Sequence, residues 1–298
     1  MFSRRFIIRI SLIFLSAPVF AACTSLNPPE PTLTPTVTFT PEPPTVTPEP
    51  LALTVNGEGI TLFEFDAEVA RYTQAQQALG KPVSSADAAS AVIEDLVAQL
   101  LLAQGARNEG FTLDDAALQA RVDSLAAQIG GAENLSRWQA DHGYSQATFR
   151  TALKRAAESA WMRDKIVAAV PSTAEQVHVQ QILLYNQDTA QNFLARLNDG
   201  ADFDELALQA DPLTRGDLGW IPRGYLLNKS IEEAAFQLEV GQHSDVISTD
   251  VGFHILRILE RDPQRPLSPD AYLALQDLAL KNWADTQRQQ ATIVFAGE

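Results

Sequence analysis

The stretch Arg215-Gly216-Asp217-Leu218-Gly219-Trp220-Ile221-Pro222-Arg223-Gly224 constrains this chain more than any other. Three glycines and a proline within ten residues demand a backbone that turns repeatedly, because glycine enters left-handed conformations freely and proline fixes φ. Leu218, Trp220 and Ile221 are interleaved with them, so the loop has apolar side chains that need cover from a core or a pocket. No Lys-Ser/Thr pair follows the glycines, which leaves a phosphate cradle unsupported. An amphipathic segment, Ile231 to Phe236, comes next, and then Gly252-Phe253-His254-Ile255.

On either side of this loop the hydrophobic period differs. Residues 51–170 read as almost wholly helical after a short opening hairpin. That hairpin is Leu51 to Val55, turned by Asn56-Gly57. Thr61 with Glu64, Ser84 with Asp87, Thr112 with Asp115, and Ser145 are predicted to open successive helices. Val92, Leu96, Leu100 and Ala103 form an apolar stripe at helical spacing. Packing is the plain role for such stripes, and a surface for client chains is the sharper alternative. No spacing of His, Cys or carboxylates there suits a metal or an acid–base pair.

From Val177 the period becomes that of strands. Val177 to Leu184 reads as a strand, 189–197 and 203–209 as helices, and 246–249 and 253–259 as two further strands. Arg261 to Pro269 reads as a proline-rich connector. Ser268 then caps a last helix whose Tyr272, Leu275, Leu278, Leu280 and Trp283 make it too apolar to stand alone, so it is predicted to pack on the helical domain. The fold class is α+β: a mainly helical N-terminal domain completed by a C-terminal helix, plus a compact α+β domain. The boundaries are 51–170, 174–262 and 263–298.

The beginning of the chain reads as an export and anchoring device. Arg4, Arg5 and Arg9 precede an apolar run to Phe20, and Ala21-Ala22-Cys23 follows, so 1–22 is expected to be a signal peptide. Cys23 resembles the lipidated cysteine of bacterial lipoproteins; the alternative is an ordinary signal peptide beside an incidental cysteine. As the single cysteine of the chain, it excludes an intrachain disulfide. Residues 23–50 are dominated by Pro, Thr and Glu and read as a semi-stiff spacer, too poor in apolar groups to offset its ordering entropy. The balance of 22 basic against 37 acidic residues, a net charge of −15, argues against nucleic acid as a partner.

A set of motifs in the α+β segment is specific in order and spacing. It comprises Gln181-Ile182-Leu183, Gly200-Ala201-Asp202-Phe203, Gly216-Asp217-Leu218-Gly219-Trp220, Glu233-Ala234-Ala235-Phe236 and Gly252-Phe253-His254-Ile255. The set resembles the parvulin family of peptidyl-prolyl cis–trans isomerases. The helical segment is similar to the N-terminal chaperone domain of parvulin-type foldases, and with Cys23 the layout resembles exported foldase lipoproteins.

The resemblance implies an extracytoplasmic isomerase and foldase, lipid-anchored at the membrane, that acts on unfolded secreted polypeptides with Xaa-Pro bonds. Rotating such a bond means crossing a barrier near ~20 kcal/mol set by amide resonance. No covalent bond breaks, so no cofactor or metal is needed; the site must favour the twisted amide over the planar one. Carried over by motif, His254 matches the histidine of Gly-x-His-Ile, and Gln181 stands where the family has a second histidine. Asp211, before Pro212, matches the Asp or Cys position, and Thr249 a threonine near the histidine. Leu227, Ile231 and Leu218 correspond to the proline pocket, with Ile231 in place of an aromatic. His178 lies on the opposite face from position 181 by strand alternation and is not expected to substitute. A holdase-type chaperone whose parvulin domain is weakly active or inactive is the alternative function.

Overall fold

The structure, a computed structural model, describes residues 49–296. Cys23, the signal segment and nearly all of the proline-rich spacer lie outside the described residues. Among the described residues, no helix is long and apolar enough to cross a membrane.

The helical half opens with β1 (Leu51–Val55) and β2 (Glu58–Thr61), paired antiparallel through Asn56-Gly57. Both turn residues have positive φ, 52° and 83°, as an Asn-Gly hairpin requires. Then come α1 (Leu62–Ala78), α2 (Ser85–Asn108), α3 (Asp115–Gln128), α4 (Ala132–Asp141) and α5 (Gln146–Ala168). Thr61, Ser84 and Ser145 cap the helices they were expected to open, each accepting the N–H three residues on. The third start differs, because Asp114 rather than Thr112 accepts the Ala117 N–H at 2.8 Å. The stripe of α2 packs Val92, Leu96 and Leu100 against Leu53, Val55 and Ile60 of the hairpin.

The α+β half contains β3 (Thr173–Leu184), α6 (Gln187–Asn198), α7 (Phe203–Ala210), β4 (Asp217–Pro222), α8 (Lys229–Gln237), β5 (Ile247–Ser248) and β6 (Phe253–Pro266). The four strands form one antiparallel sheet in the order β4-β3-β6-β5. Each of its faces carries a core. Leu256 and Ile258 pack with Ile231 and Phe236 of α8, whereas Ile255 packs with Leu197, Phe203 and Leu206 of α6 and α7. Cover on both faces explains why 255–256 is an unbroken apolar pair rather than an alternating one.

Three expectations need correction. The glycine stretch is not only a turn: residues 217–222 are the edge strand β4, which pairs with β3 through a bulge near Val179 and Gln180. The connector from Arg261 is ordered as β6 as far as Pro266, opposite Thr173, so the sheet passes the predicted boundary at 262. Prolines are tolerated there because only one side of that extension is paired. Finally, the segment 263–298 is more than a helix. After α9 (Pro269–Gln290), β7 (Ile293–Phe295) joins β1, so both ends of the folded chain share one small sheet, β2-β1-β7.

As expected, α9 packs on the helical half. Trp283 joins the hairpin core and lies so close to α2 that a Cβ at Gly105 would sit 2.7 Å from its ring. Ion pairs brace that half. Arg155, only 6% exposed, meets Glu64 at 2.6 Å, and Arg107 bridges Glu58 and the buried Glu158.

Candidate active site

The site is assembled around Gln181, near the end of β3. Gly216 lies against it with φ at 70°, and a Cβ there would fall 1.8 Å from the Gln181 carbonyl oxygen. The Gln181 N–H in turn donates to the Gly216 carbonyl at 2.8 Å. A bare backbone at 216 is therefore what lets the loop close on the strand. The neighbouring Gln180 is buried and ties the same loop down. Its amide nitrogen donates to the Arg215 carbonyl and to Asp204, and its amide oxygen accepts from Arg257 at 2.6 Å. The Arg257 guanidinium holds the Asp204 carboxyl below its ordinary value.

The register of β3 with β6 brings His254 opposite Leu183, and Gln181 opposite Leu256. His254 Nδ1 then lies 3.0 Å from Gln181 Oε1, and Nε2 lies 2.9 Å from the Thr249 hydroxyl. The Thr249 oxygen accepts the N–H groups of Val251 and Gly252, and its proton lies within reach of both Nε2 and the Gly252 carbonyl, the latter at 3.2 Å. An amide oxygen only accepts, which puts the ring proton on Nδ1. The row Thr249–His254–Gln181 is thus satisfied with a neutral imidazole, and burial pushes the His254 pKa down from its ordinary value.

This has a pH consequence. With the folded pKa below the unfolded one of 6.5, the unfolded chain binds more protons as the pH falls, so acid favours unfolding. His254 contributes its stability fully above pH 6.5 and loses it as the pH falls through the folded pKa. Denaturant titrations at several pH values should show this slope, and His254→Gln should flatten it relative to wild type. An unchanged slope would contradict the neutral-ring assignment.

Two clefts meet across this row. One, of about 520 Å³, is lined by Gln181, Leu183, Tyr185, Asp211, Pro212 and Gly216. The other, of about 310 Å³, is lined by Leu227, Asn228, Ile231, Thr249, Val251 and His254. Around them Tyr185, Leu213, Leu227 and Val251 are exposed apolar side chains, a grouping typical of surfaces that take up a partner.

The carried-over residues thus separate into groups. Gln181, His254 and Thr249 are bonded to one another. Ile231 is 6% exposed; it forms the floor of the smaller cleft and belongs to the α8 core, whereas Leu227 stands fully exposed at its rim. Asp211 borders the larger cleft as the C-cap of α7. Its carboxylate accepts the Thr214 hydroxyl and the N–H groups of Leu213 and Thr214, so it shapes the turn after Pro212. The hydrogen bond from Thr214 holds its carboxyl below the ordinary value. Leu218 is not brought in: it sits at the bulge of β4, 37% exposed, away from the residues lining either cleft. His178 stays apart, stacked on Trp220 and hydrogen-bonded to Asp217 at 2.8 Å.

The residue that sequence reasoning missed is Glu232, one turn into α8. Its carboxylate accepts the Gly224 N–H at 2.9 Å and the Leu226 N–H at 3.1 Å, and so holds the loop that carries Leu227. A glutamate near a helix start is too common to signal this, because the contact exists only once the loop folds back.

Both halves of the chain match known domains. Residues 166–260 match the model of the PPIC-type PPIASE domain, and residues 45–153 that of the SurA-like N-terminal domain. The foldase protein PrsA of Geobacillus sp. (strain WCH70) is 36% identical over 98 residues, which is 31% of this chain and 35% of that protein. The chaperone SurA of Hydrogenovibrio crunogenus is 25% identical over 240 residues, 68% of this chain and 53% of that one. The chain thus spans about a third to a half of the length of these relatives. A crystal structure of the peptidylprolyl isomerase PrsA from Bacillus cereus aligns with a TM-score of 0.43 at 20% identity, covering 78% of this chain and 83% of that one.

Proposed function

From a chain that carries a PPIC-type PPIASE domain and a SurA-like N-terminal domain, we propose a peptidyl-prolyl cis–trans isomerase that assists the folding of polypeptides outside the cytoplasm. The observation that carries this reading is the polar row Thr249–His254–Gln181 beside an apolar cleft floored by Ile231.

The chemistry needs only binding and polarity. A proline ring seated on Ile231 and Leu227 loses water, and a drier amide is less well stabilised in its planar, charge-separated form. As the bond twists, resonance is lost and the nitrogen becomes pyramidal. The nitrogen, its lone pair no longer delocalised, becomes the better acceptor, and Gln181, which lines the larger cleft, has an amide N–H to give it. His254, neutral and bonded on both sides, transfers no proton; it fixes the Gln181 carboxamide so that this donor is pre-aimed. Asp211, charged at the lip of that cleft, adds a fixed negative potential that disfavours the negative oxygen of the planar amide. Clients are unfolded chains with Xaa-Pro bonds. Cys23 supplies a lipid anchor, and the spacer holds the folded part off the membrane.

A protease-coupled assay on Xaa-Pro peptides with residues 23–298 tests the reading. Catalysis above the spontaneous rate is expected, falling about tenfold in Gln181→Ala through loss of one aimed donor. A wild-type rate equal to the uncatalysed one would refute it and leave a chaperone without isomerase activity. For the anchor, incorporation of a radiolabelled lipid precursor should disappear in Cys23→Ala.

A further inference from the structure

The loop 223–227 is held from two different parts of the fold. From its own half, the Glu232 carboxylate accepts the Gly224 and Leu226 N–H groups, and Arg223 lies over the Phe236 ring at 4.0 Å. From the other side comes α9. A Cβ at Gly224, whose φ is 84°, would sit 2.4 Å from Leu278 Cδ2 and 3.3 Å from Leu275 Cδ2. The loop is therefore glycine at the point where the helix presses on it, and substitution there meets both strain and contact.

About one and a half turns beyond Leu278, α9 is fixed in the helical half. Trp283 packs in the hairpin core and β7 completes the β1 sheet. The loop ends in Leu227 and Asn228, which line the smaller cleft, and Asn228 caps α8 by accepting the Ile231 N–H at 3.1 Å. The helical half thus reaches the loop at the rim of the cleft through α9, with Leu278 nearest and Leu275 beside it.

We propose that Leu278 of the C-terminal helix and Glu232 are positioning residues for the cleft loop, so that the helical half sets how tightly the cleft holds its substrate. This rests on the isomerase reading for the identity of the substrate. Leu278 defines the outer limit of the loop and the Glu232 carboxylate its inner limit. With both in place Leu227 projects over the cleft in one arrangement. Without Leu278 the carboxylate bonds remain, but the loop has an unfilled space to move into. Substrate binding should suffer more than the twisting step, since Gln181 lines the other cleft.

The test uses residues 23–298 with the Leu278→Ala change, and Leu273→Ala, at an exposed site on the same helix, as control. KM for an Xaa-Pro peptide is expected to rise about fivefold with kcat within about twofold, the pattern of lost binding rather than lost chemistry. Amide exchange of the 223–227 segment, followed by mass spectrometry, should quicken about tenfold as its protection drops. Leu278→Met should restore both, and Glu232→Gln, which keeps a single acceptor oxygen, should quicken exchange as well. The inference is overturned if Leu278→Ala leaves KM unchanged, if exchange is unchanged, or if Leu273→Ala does the same. Should the wild type fail to isomerise, the isomerase reading falls, and exchange alone then decides whether Leu278 holds the loop.

Discussion

Gly216→Ala is expected to destabilise the α+β half by about 2–6 kcal/mol. An L-residue held at φ 70° costs about 1–3 kcal/mol, and forcing a methyl into a filled space costs about 1–3 more. The Cβ would overlap a backbone carbonyl, that of Gln181, which cannot rotate aside as a side chain can. Gly219 is the matched control. Its φ of 72° is nearly the same, but a Cβ there would meet nothing within 4 Å, so Gly219→Ala should cost only the strain. Against a total stability of about 5–15 kcal/mol, the first change should move the unfolding midpoint by many degrees and the second by few. Thermal melts followed by circular dichroism decide this; equal losses at the two positions would mean that the contact with Gln181 does not matter. Because Gln181 carries the polar row, the peptide assay on Gly216→Ala should also lose activity below its melting temperature.

The second large effect is expected in the helical half. Arg155→Ala should cost about 2–4 kcal/mol, below the range for a fully buried pair because the Glu64 carboxylate it leaves without a counter-charge keeps some contact with water. Most of that cost is the stranded charge rather than the worth of the pair. The double change Arg155→Met with Glu64→Gln should therefore recover most of the loss. Urea titrations of the single and double variants provide the measurement. A double variant as unstable as the single one would show that Arg155 acts through packing of its stem and not through charge.

The sites of these two effects differ in how far the sequence announces them. Gly216 stands out in the chain because glycine is the residue that reaches a left-handed turn without penalty, and its place beside an apolar edge strand follows from Leu218, Trp220 and Ile221. The arginine and the glutamate of the partly buried pair carry no such mark: they are 91 residues apart and look like any other charged helix positions. The same holds for Gln180, whose amide ties Arg215 and Asp204 together from inside the sheet. Asp211 could be read either as a site residue or as a turn former before Pro212. The structure gives it the turn, with its carboxylate bordering the larger cleft. Leu218 could not be judged without the bulge, because one extra residue in β4 changes which side chain the sheet turns outward.

By itself the sequence determined what is local. Caps at Thr61, Ser84 and Ser145, the Asn56-Gly57 hairpin, the stripe of α2 and the shift from a helical to a strand period each depend on neighbours within a few residues, and these interactions survive in any fold the chain adopts. Tertiary structure alone decided what depends on register and return. His254 meets Gln181 across 73 residues because β3 and β6 pair with one particular offset, and β7 comes back to β1 after the whole chain has been traversed. Glu232 and Leu278 hold Gly224 from opposite sides only once α8 and α9 are docked. Such contacts are selected by the summed packing of many side chains, so no short window of sequence carries them.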